Sequence, residues 1–249
     1  MHLNKSKFLI LMVSILLVTS NLFAFQFSPL TQVFTVKGAD ATKTYTITND
    51  SDEPIAVEVT SLRRDQDANG QEVNTDASAY FSIQPARSII QPQSSLIVRV
   101  QYRGPQTVTS ELPFRIKAEQ IQYSQGRTTT NQSMFNFLYV YISSAYVEPS
   151  KVTERVVVSS ISEAADGTMA IKLTNAGTVH QVLNELTVNI MDGDGNVVAL
   201  SGAEALPELT GLNLLSRKAV TKNVPWPEGL AKNSTYKATI TYDFSYANM

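Results

Sequence analysis

The stretch Met134 to Pro149, MFNFLYVYISSAYVEP, decides the fold, because aromatic and aliphatic residues run through it with few interruptions. Four aromatic residues recur in it at period two: Phe135, Phe137, Tyr139 and Tyr141. Three aliphatic residues occupy alternate positions: Leu138, Val140 and Ile142. An extended strand here therefore carries apolar side chains on both faces. One face packs against its own domain, and the other, at a sheet edge, needs a second partner.

The chain begins with a predicted secretory signal, residues 1–24. Two lysines precede an apolar core, Phe8 to Val18, and Leu22-Phe23-Ala24 provides the cleavage end. We expect the mature protein to begin at Phe25. Leu22 is bulkier than the residue usual at its place, so cleavage one or two residues away, or an uncleaved anchor, stays open.

Composition narrows the class of protein. Beyond the signal no segment has the roughly 18 consecutive apolar residues of a membrane-spanning helix, so we expect an exported protein without membrane insertion, in the periplasm or outside the cell. The absence of cysteine excludes disulfides, thiolate catalysis and cysteine metal sites. The acidic balance of 20 Lys and Arg against 22 Asp and Glu argues against nucleic acid as a partner.

Period-two patterns predict an all-β chain of two domains. In residues 25–149 they fall at Gln32–Val36, Lys43–Asn49, Ile55–Leu62, Ser95–Tyr102, Phe114–Tyr123 and the opening stretch. This spacing is typical of an immunoglobulin-like sandwich. Pro149 ends the long strand, and a second all-β pattern fills residues 150–249. A short linker predicts a fixed angle and a cleft at the junction.

Catalytic and metal motifs are weak. Beyond the signal, His180 is the remaining histidine and has no identifiable Ser-His-Asp partners, so we predict a structural role for it and no enzyme activity. Asp65 to Gly70 with Asp76 resembles a calcium loop, but a polar hairpin turn uses the same residues, and both interpretations stay open. No cofactor is predicted.

The segment Glu111 to Ile121, ELPFRIKAEQI, alternates clearly. Three apolar residues face one way, Phe114, Ile116 and Ala118, and three charged residues face the other, Arg115, Lys117 and Glu119. A hairpin through residues 125–127 places the charged face beside the opening strand. Such a face is usually only solvated. Beside a cleft it can also bind an anion such as a C-terminal carboxylate, with about 1.5 to 3 kcal/mol per charge-assisted hydrogen bond.

With these features the chain resembles the periplasmic pilus-assembly chaperones of the chaperone/usher pathway. The resemblance rests on the ELPFRIKAEQI segment, on Phe135 to Pro149, and on Thr46–Asn49 with Ser95–Val100. It implies two immunoglobulin-like β-sandwiches in an L-shaped arrangement. It also implies donor-strand complementation of fimbrial subunits, followed by delivery to an outer-membrane usher without ATP.

The resemblance implies that the opening strand inserts into a subunit that lacks a strand. The predicted donor residues are Phe135, Phe137, Tyr139 and Tyr141, with Leu138, Val140 and Ile142 packed into the chaperone's own core, although a bulge can exchange these roles. Whether the free protein shields this edge by dimerising stays open.

This sequence departs from the family pattern at the residues that bind the subunit's C-terminal carboxylate. Well-known family members hold it with an arginine on the first strand and a lysine near the end of the long strand. Here those places hold Val33 (or Gln32) and Ser144, which suggests an archaic or alternative branch. Arg115 is the first candidate for the anchor, followed by Lys117 and Arg87.

The main rival interpretation is an exported surface or pilus protein with a structural or adhesive role. Such a subunit is expected to carry a flexible N-terminal donor extension, whereas Phe25 to Pro29 leads almost directly into the first predicted strand. A periplasmic hydrolase using His180 is a further rival.

Overall fold

The computed structural model describes residues 25–122 and 138–243. The predicted signal and two of the predicted donor residues, Phe135 and Phe137, therefore lie outside the described part of the chain. In the described residues the first domain contains ten strands: β1 (Gln26–Ser28), β2 (Thr31–Phe34), β3 (Thr42–Asn49), β4 (Ile55–Gln66), β5 (Glu72–Asp76), β6 (Phe81–Gln84), β7 (Arg87–Ile90), β8 (Ser94–Tyr102), β9 (Leu112–Ile121) and β10 (Val140–Val147).

These strands form two facing sheets. One has the order β1-β3-β8-β6, and the other has the order β2-β10-β9-β4-β5 with β7 also paired to β4. Aromatic and β-branched residues from both sheets fill the space between them, among them Phe34, Tyr45, Ile47, Val98, Phe114 and Ile116. The first domain is therefore a β-sandwich around a single core.

Strand β9 alternates as its sequence predicts. Phe114, Ile116 and Ala118 are fully buried in the core, whereas the side chains of Arg115 and Lys117 are on the opposite, outer face. Strand β9 pairs antiparallel with β10 on one side and with β4 on the other. The predicted pairing of the ELPFRIKAEQI strand with the opening strand is confirmed.

The second domain is also all-β. It contains β11 (Val156–Glu163), β12 (Met169–Asn175), β13 (Gln181–Val182), β14 (Asn184–Met191), β15 (Val197–Ser201), a short helix α1 (Gly202–Ala205), β16 (Asn213–Leu214), β17 (Ala219–Val224) and β18 (Lys237–Asp243). The sheets have the orders β11-β12-β17, β15-β14-β18 and β13-β16. Leucine, isoleucine and valine side chains form a second core, separate from the first. The predicted two-sandwich fold is confirmed.

The helices in the described residues are too short to span a membrane. The sequence pattern missed the short strands β5, β6 and β7. All five residues of β5 are exposed, so this strand has no buried face and shows no apolar alternation.

Candidate functional site

Strand β10, with the two residues before it, presents aliphatic side chains to solvent and tyrosines to the core. Leu138, Val140 and Ile142 are 47%, 46% and 47% exposed. Tyr139 and Tyr141 are partly buried and pack against the first core. The predicted direction of these two series is therefore wrong, because the tyrosines face inward and the aliphatic residues face outward.

The inward series is fixed by its packing partners. The ring of Tyr141 meets the ring of Phe25 edge-on, with centroids 4.7 Å apart. Further residues of the same series are buried: Ser143, Ala145 and Val147. A tyrosine ring contributes a large apolar area to a core while its hydroxyl reaches outward. Both series of the strand are apolar, so the sequence pattern alone did not distinguish them.

The backbone of β10 is paired on both sides along only half its length. Strand β9 pairs with it from Val140 to Val147. Strand β2 pairs with it in parallel, but only from Ser144 to Val147. On the side away from β9, no strand among the described residues covers the first half of β10.

The residues of β10 with exposed aliphatic side chains also have their backbone groups on the open edge. The Tyr139 carbonyl accepts a 2.9 Å hydrogen bond from the Gln120 amide on the β9 side, and the Ser144 amide donates to a carbonyl on the β2 side. Successive residues of a strand point their backbone groups to opposite sides. The N–H and C=O groups of Val140 and Ile142 therefore point to the uncovered edge.

A cluster of two arginines and one carboxylate lies next to the outer face of β10. Arg115 donates through Nη1 to Ser144 Oγ and through Nε to Glu72 Oε1 at 2.9 Å, and its Nη2 also binds Glu72. Arg64 Nε lies 2.8 Å from Glu72 Oε2. The cluster combines two positive charges with one negative charge and so keeps an excess of positive charge.

The environment of Glu72 strongly favours its ionised form. Partial burial alone raises the pKa of this carboxyl, but hydrogen bonds from Arg115 and Asn74 and the charge of Arg64 outweigh burial and lower the pKa to about 2. Glu72 therefore acts as a permanent counterion for both arginines at neutral pH.

The three predicted anchor candidates occupy different places. Arg115 reaches Ser144, and Lys117 is directly opposite Ile142 while its Nζ binds Glu119 at 2.6 Å. Arg87 is on β7 and pairs with Glu58 at 2.7 Å. Strand β7 is three inter-strand spacings from β10, or about 14 Å. Arg115 and Lys117 therefore lie beside β10, whereas Arg87 does not.

The two positions where the resemblance implies basic residues are close together. Val33 on β2 pairs with Tyr146, two ladder positions from the pair of Ser144 with Thr31, and the alternative, Gln32, pairs with Ala145 between them. None of these positions supplies a cation, and Arg115 reaches Ser144 from β9.

The β4–β5 hairpin bridges the two domains. The Gln66 amide group donates to the Asn213 carbonyl at 3.0 Å and accepts from the Leu215 amide at 3.2 Å. The Ala68 carbonyl accepts from the Thr221 amide at 2.9 Å. These contacts hold the hairpin that carries Glu72 against the second domain.

This hairpin also contains the segment that resembles a calcium loop, Asp65 to Gly70 with Asp76. Asp67 Oδ1 accepts the amides of Asn69 and Gln71, each at 2.8 Å. Asp65 and Asp76 belong to ladder positions three residues apart, which corresponds to about 10 Å. Within residues 25–122 and 138–243, no three His, Cys, Asp or Glu side chains are grouped to hold a metal ion. The arrangement is that of a polar hairpin turn.

Glu111 and His180 form a buried joint between the domains. Both side chains are 0% exposed, and the Glu111 carboxylate is 2.8 and 2.9 Å from His180 Nδ1. The Tyr146 ring stacks on the imidazole with centroids 3.9 Å apart, and its hydroxyl accepts from Arg64 and Asn213. An enclosed His–Glu pair has no access to a substrate, which agrees with the structural role predicted for His180.

Comparison with known proteins finds likeness in the fold. No protein-family model and no curated protein matches the chain. A chain of the chaperone–tip adhesin complex of CFA/I fimbriae biogenesis is similar with TM-score 0.58 and 13% identity, over 88% of this chain and 98% of that one. A chain of the CsuC–CsuE pre-assembly complex of archaic Csu pili from Acinetobacter baumannii is similar with TM-score 0.58 and 11% identity, over 86% of this chain and 97% of that one. The class 5 fimbriae chaperone CfaA is similar with TM-score 0.56 and 13% identity, over 89% of this chain and all of that one.

The chain therefore has the two-domain fold of fimbrial chaperones over 86% to 89% of its length. Identities of 11% to 13% establish this fold alone. What the chain binds has to be argued from its own surface.

Proposed function

We propose that this protein is a periplasmic, non-enzymatic chaperone that holds fimbrial subunits by strand addition along β10 and delivers them to an outer-membrane usher. The observation that carries the proposal is the coincidence, at Val140 and Ile142, of exposed aliphatic side chains with backbone groups on an open edge. A subunit that lacks one strand supplies an apolar groove and the matching backbone hydrogen bonds.

Because the side chains of β10 face opposite to the sequence prediction, we propose different donor residues. Leu138, Val140 and Ile142 take that role, in place of Tyr139 and Tyr141. Because each is already about half covered, completing their burial contributes roughly 2 to 4 kcal/mol in total. Backbone hydrogen bonds along the edge add about 1 kcal/mol each, before the cost of association.

We assign the contact with the subunit's C-terminal carboxylate to Arg115. This residue is beside Ser144, on the face that carries Ile142, and the Arg64–Glu72–Arg115 cluster keeps an excess of positive charge. The subunit's carboxylate then competes with Glu72 for the same guanidinium. Lys117 is a second cation on this face, whereas Arg87 is too distant from β10 for this role.

The test is co-expression with a strand-deficient fimbrial subunit, followed by purification from periplasm. We expect a one-to-one complex, lost in Ile142→Asp and kept in Val197→Asp, a matched control on the second domain whose wild-type side chain is 64% exposed. Recovery of the chain in sheared surface fibres, with no soluble complex, would support the rival structural or adhesive role.

A further inference from the structure

A cavity is at one end of the first sandwich, on the core side of β4. A surface cavity of about 330 Å³ is bounded by Arg63, Tyr80, Leu112 and the loop before β9. Three hydroxyl-bearing residues of this loop line it: Thr107, Thr109 and Ser110. Among its lining residues one is basic and none is acidic.

Arg63 belongs to the inward-facing series of β4. Val57, Val59 and Ser61 of the same series are buried, so the Arg63 side chain follows them toward the end of the core. Its guanidinium carbon is 4.8 Å from the centroid of the Phe114 ring. Stacking on this ring leaves the edge of the guanidinium, which carries its N–H groups, for other contacts.

The hydrogen bonding of Arg63 is incomplete. Its Nη1 atom is buried and has no hydrogen-bond partner among the described residues. Burial lowers the pKa of Arg63, against the opposite effect of Tyr80, Asp65 and Tyr102. The neighbouring carboxylate of Asp65 is 2.5 Å from Lys218 Nζ and is already paired. A buried cationic donor without an acceptor is unfavourable and calls for one.

We propose that this cavity binds a small organic carboxylate. The carboxylate accepts from the accessible N–H groups of the Arg63 guanidinium and from hydroxyls of the loop, as planar oxyanions do with guanidinium groups. The apolar walls formed by Val108, Leu112 and the Tyr80 ring accommodate a short hydrocarbon body. The volume is at the lower end of the range for small-molecule sites, which favours a ligand of a few carbon atoms.

The experiment is an NMR titration of the uniformly ¹⁵N-labelled mature chain, using butyrate, acetate and chloride at equal ionic strength. We expect the Arg63 Nε–H signal to shift saturably with butyrate, more weakly with acetate, and not with chloride. Arg63→Met keeps the stem over Phe114 and is expected to lower the apparent affinity about tenfold or more, read from neighbouring amides. Arg87→Met is the matched control and is expected to leave it unchanged.

Thr109→Val changes an exposed wall residue and provides a second variant that does not depend on the folding of Arg63→Met. It is expected to weaken butyrate binding. A wild-type shift that stays linear in butyrate, or that chloride reproduces, would overturn the proposal.

Discussion

Glu72 and Arg115 are bound to each other through two hydrogen bonds on the outer face of the first sandwich, and Glu72 also contacts Arg64 at 2.8 Å. The chain thus places a carboxylate of its own on the cation that we assign to a subunit's carboxylate. The hairpin that carries Glu72 is held against the second domain by Gln66 and Ala68. Binding at Arg115 is therefore a competition between an internal and an external carboxylate.

Glu72→Gln tests this competition. Glutamine keeps the size of the side chain and removes its charge, so Arg115 becomes available and subunit affinity is expected to rise about three- to tenfold. The measurement is a binding titration with a strand-deficient subunit. Glu58→Gln, which removes the partner of the exposed Arg87, is the matched control. Unchanged or weaker binding in Glu72→Gln would leave Arg115 with a structural role only.

Acid pH is expected to weaken the same cluster. The pKa of Glu72 is lowered from 4.5 to about 2 in the folded chain, so its contribution to stability is complete above pH 4.5 and is lost as the pH falls toward 2. Because the group is partly solvated, we expect about 1 kcal/mol from this carboxylate. Urea unfolding across this range measures it. Equal pH dependence in wild type and Glu72→Gln would contradict the assignment.

Tyr141 and Ile142 are neighbours with opposite expected effects. Tyr141→Ala removes the ring that packs on Phe25 and is expected to lower the free energy of unfolding by about 2 kcal/mol. Ile142→Ala removes a half-exposed side chain, so it is expected to cost less than about 1 kcal/mol in stability and to weaken subunit binding instead. Thermal unfolding and subunit recovery separate the two, and the reverse outcome would restore the register predicted from sequence.

Glu111 at the domain joint can be compared with Glu119 on the outer face of β9. Glu111→Ala leaves buried His180 donors without their acceptor and is expected to lower the free energy of unfolding by about 3 kcal/mol. Glu119→Ala, on β9 with a partly exposed carboxylate, is expected to cost less than about 1 kcal/mol. Chemical unfolding of both variants measures the difference. Similar values for the two would show that the joint contributes little.

The sequence predicts the part of the fold that depends on local alternation. Strand β9 is an example, because Phe114, Ile116 and Ala118 alternate with charged residues and their directions are confirmed. In β10 both series are apolar, and contacts with distant core residues determine which one faces inward, such as that of Tyr141 with Phe25, more than a hundred residues earlier in the chain.

The candidate site was predicted in part for a similar reason. Arg115 stands out because its charge alternates with core residues, whereas Glu72 is in a strand with no buried side chain. Glu111 showed no sign of a partner, since His180 is 69 residues away in sequence and comes close only through domain packing. Contacts of this kind have no local pattern in the sequence.

The most direct test of strand addition is amide hydrogen exchange of β10 in the free chain and in its complex with a strand-deficient subunit. The amides of Tyr141 and Ser143 point toward β9 and are expected to be protected in both states. The amides of Val140 and Ile142 point to the open edge and are expected to become protected only in the complex. Fast exchange at Val140 and Ile142 in a stable complex would contradict the proposal that β10 is the donor strand.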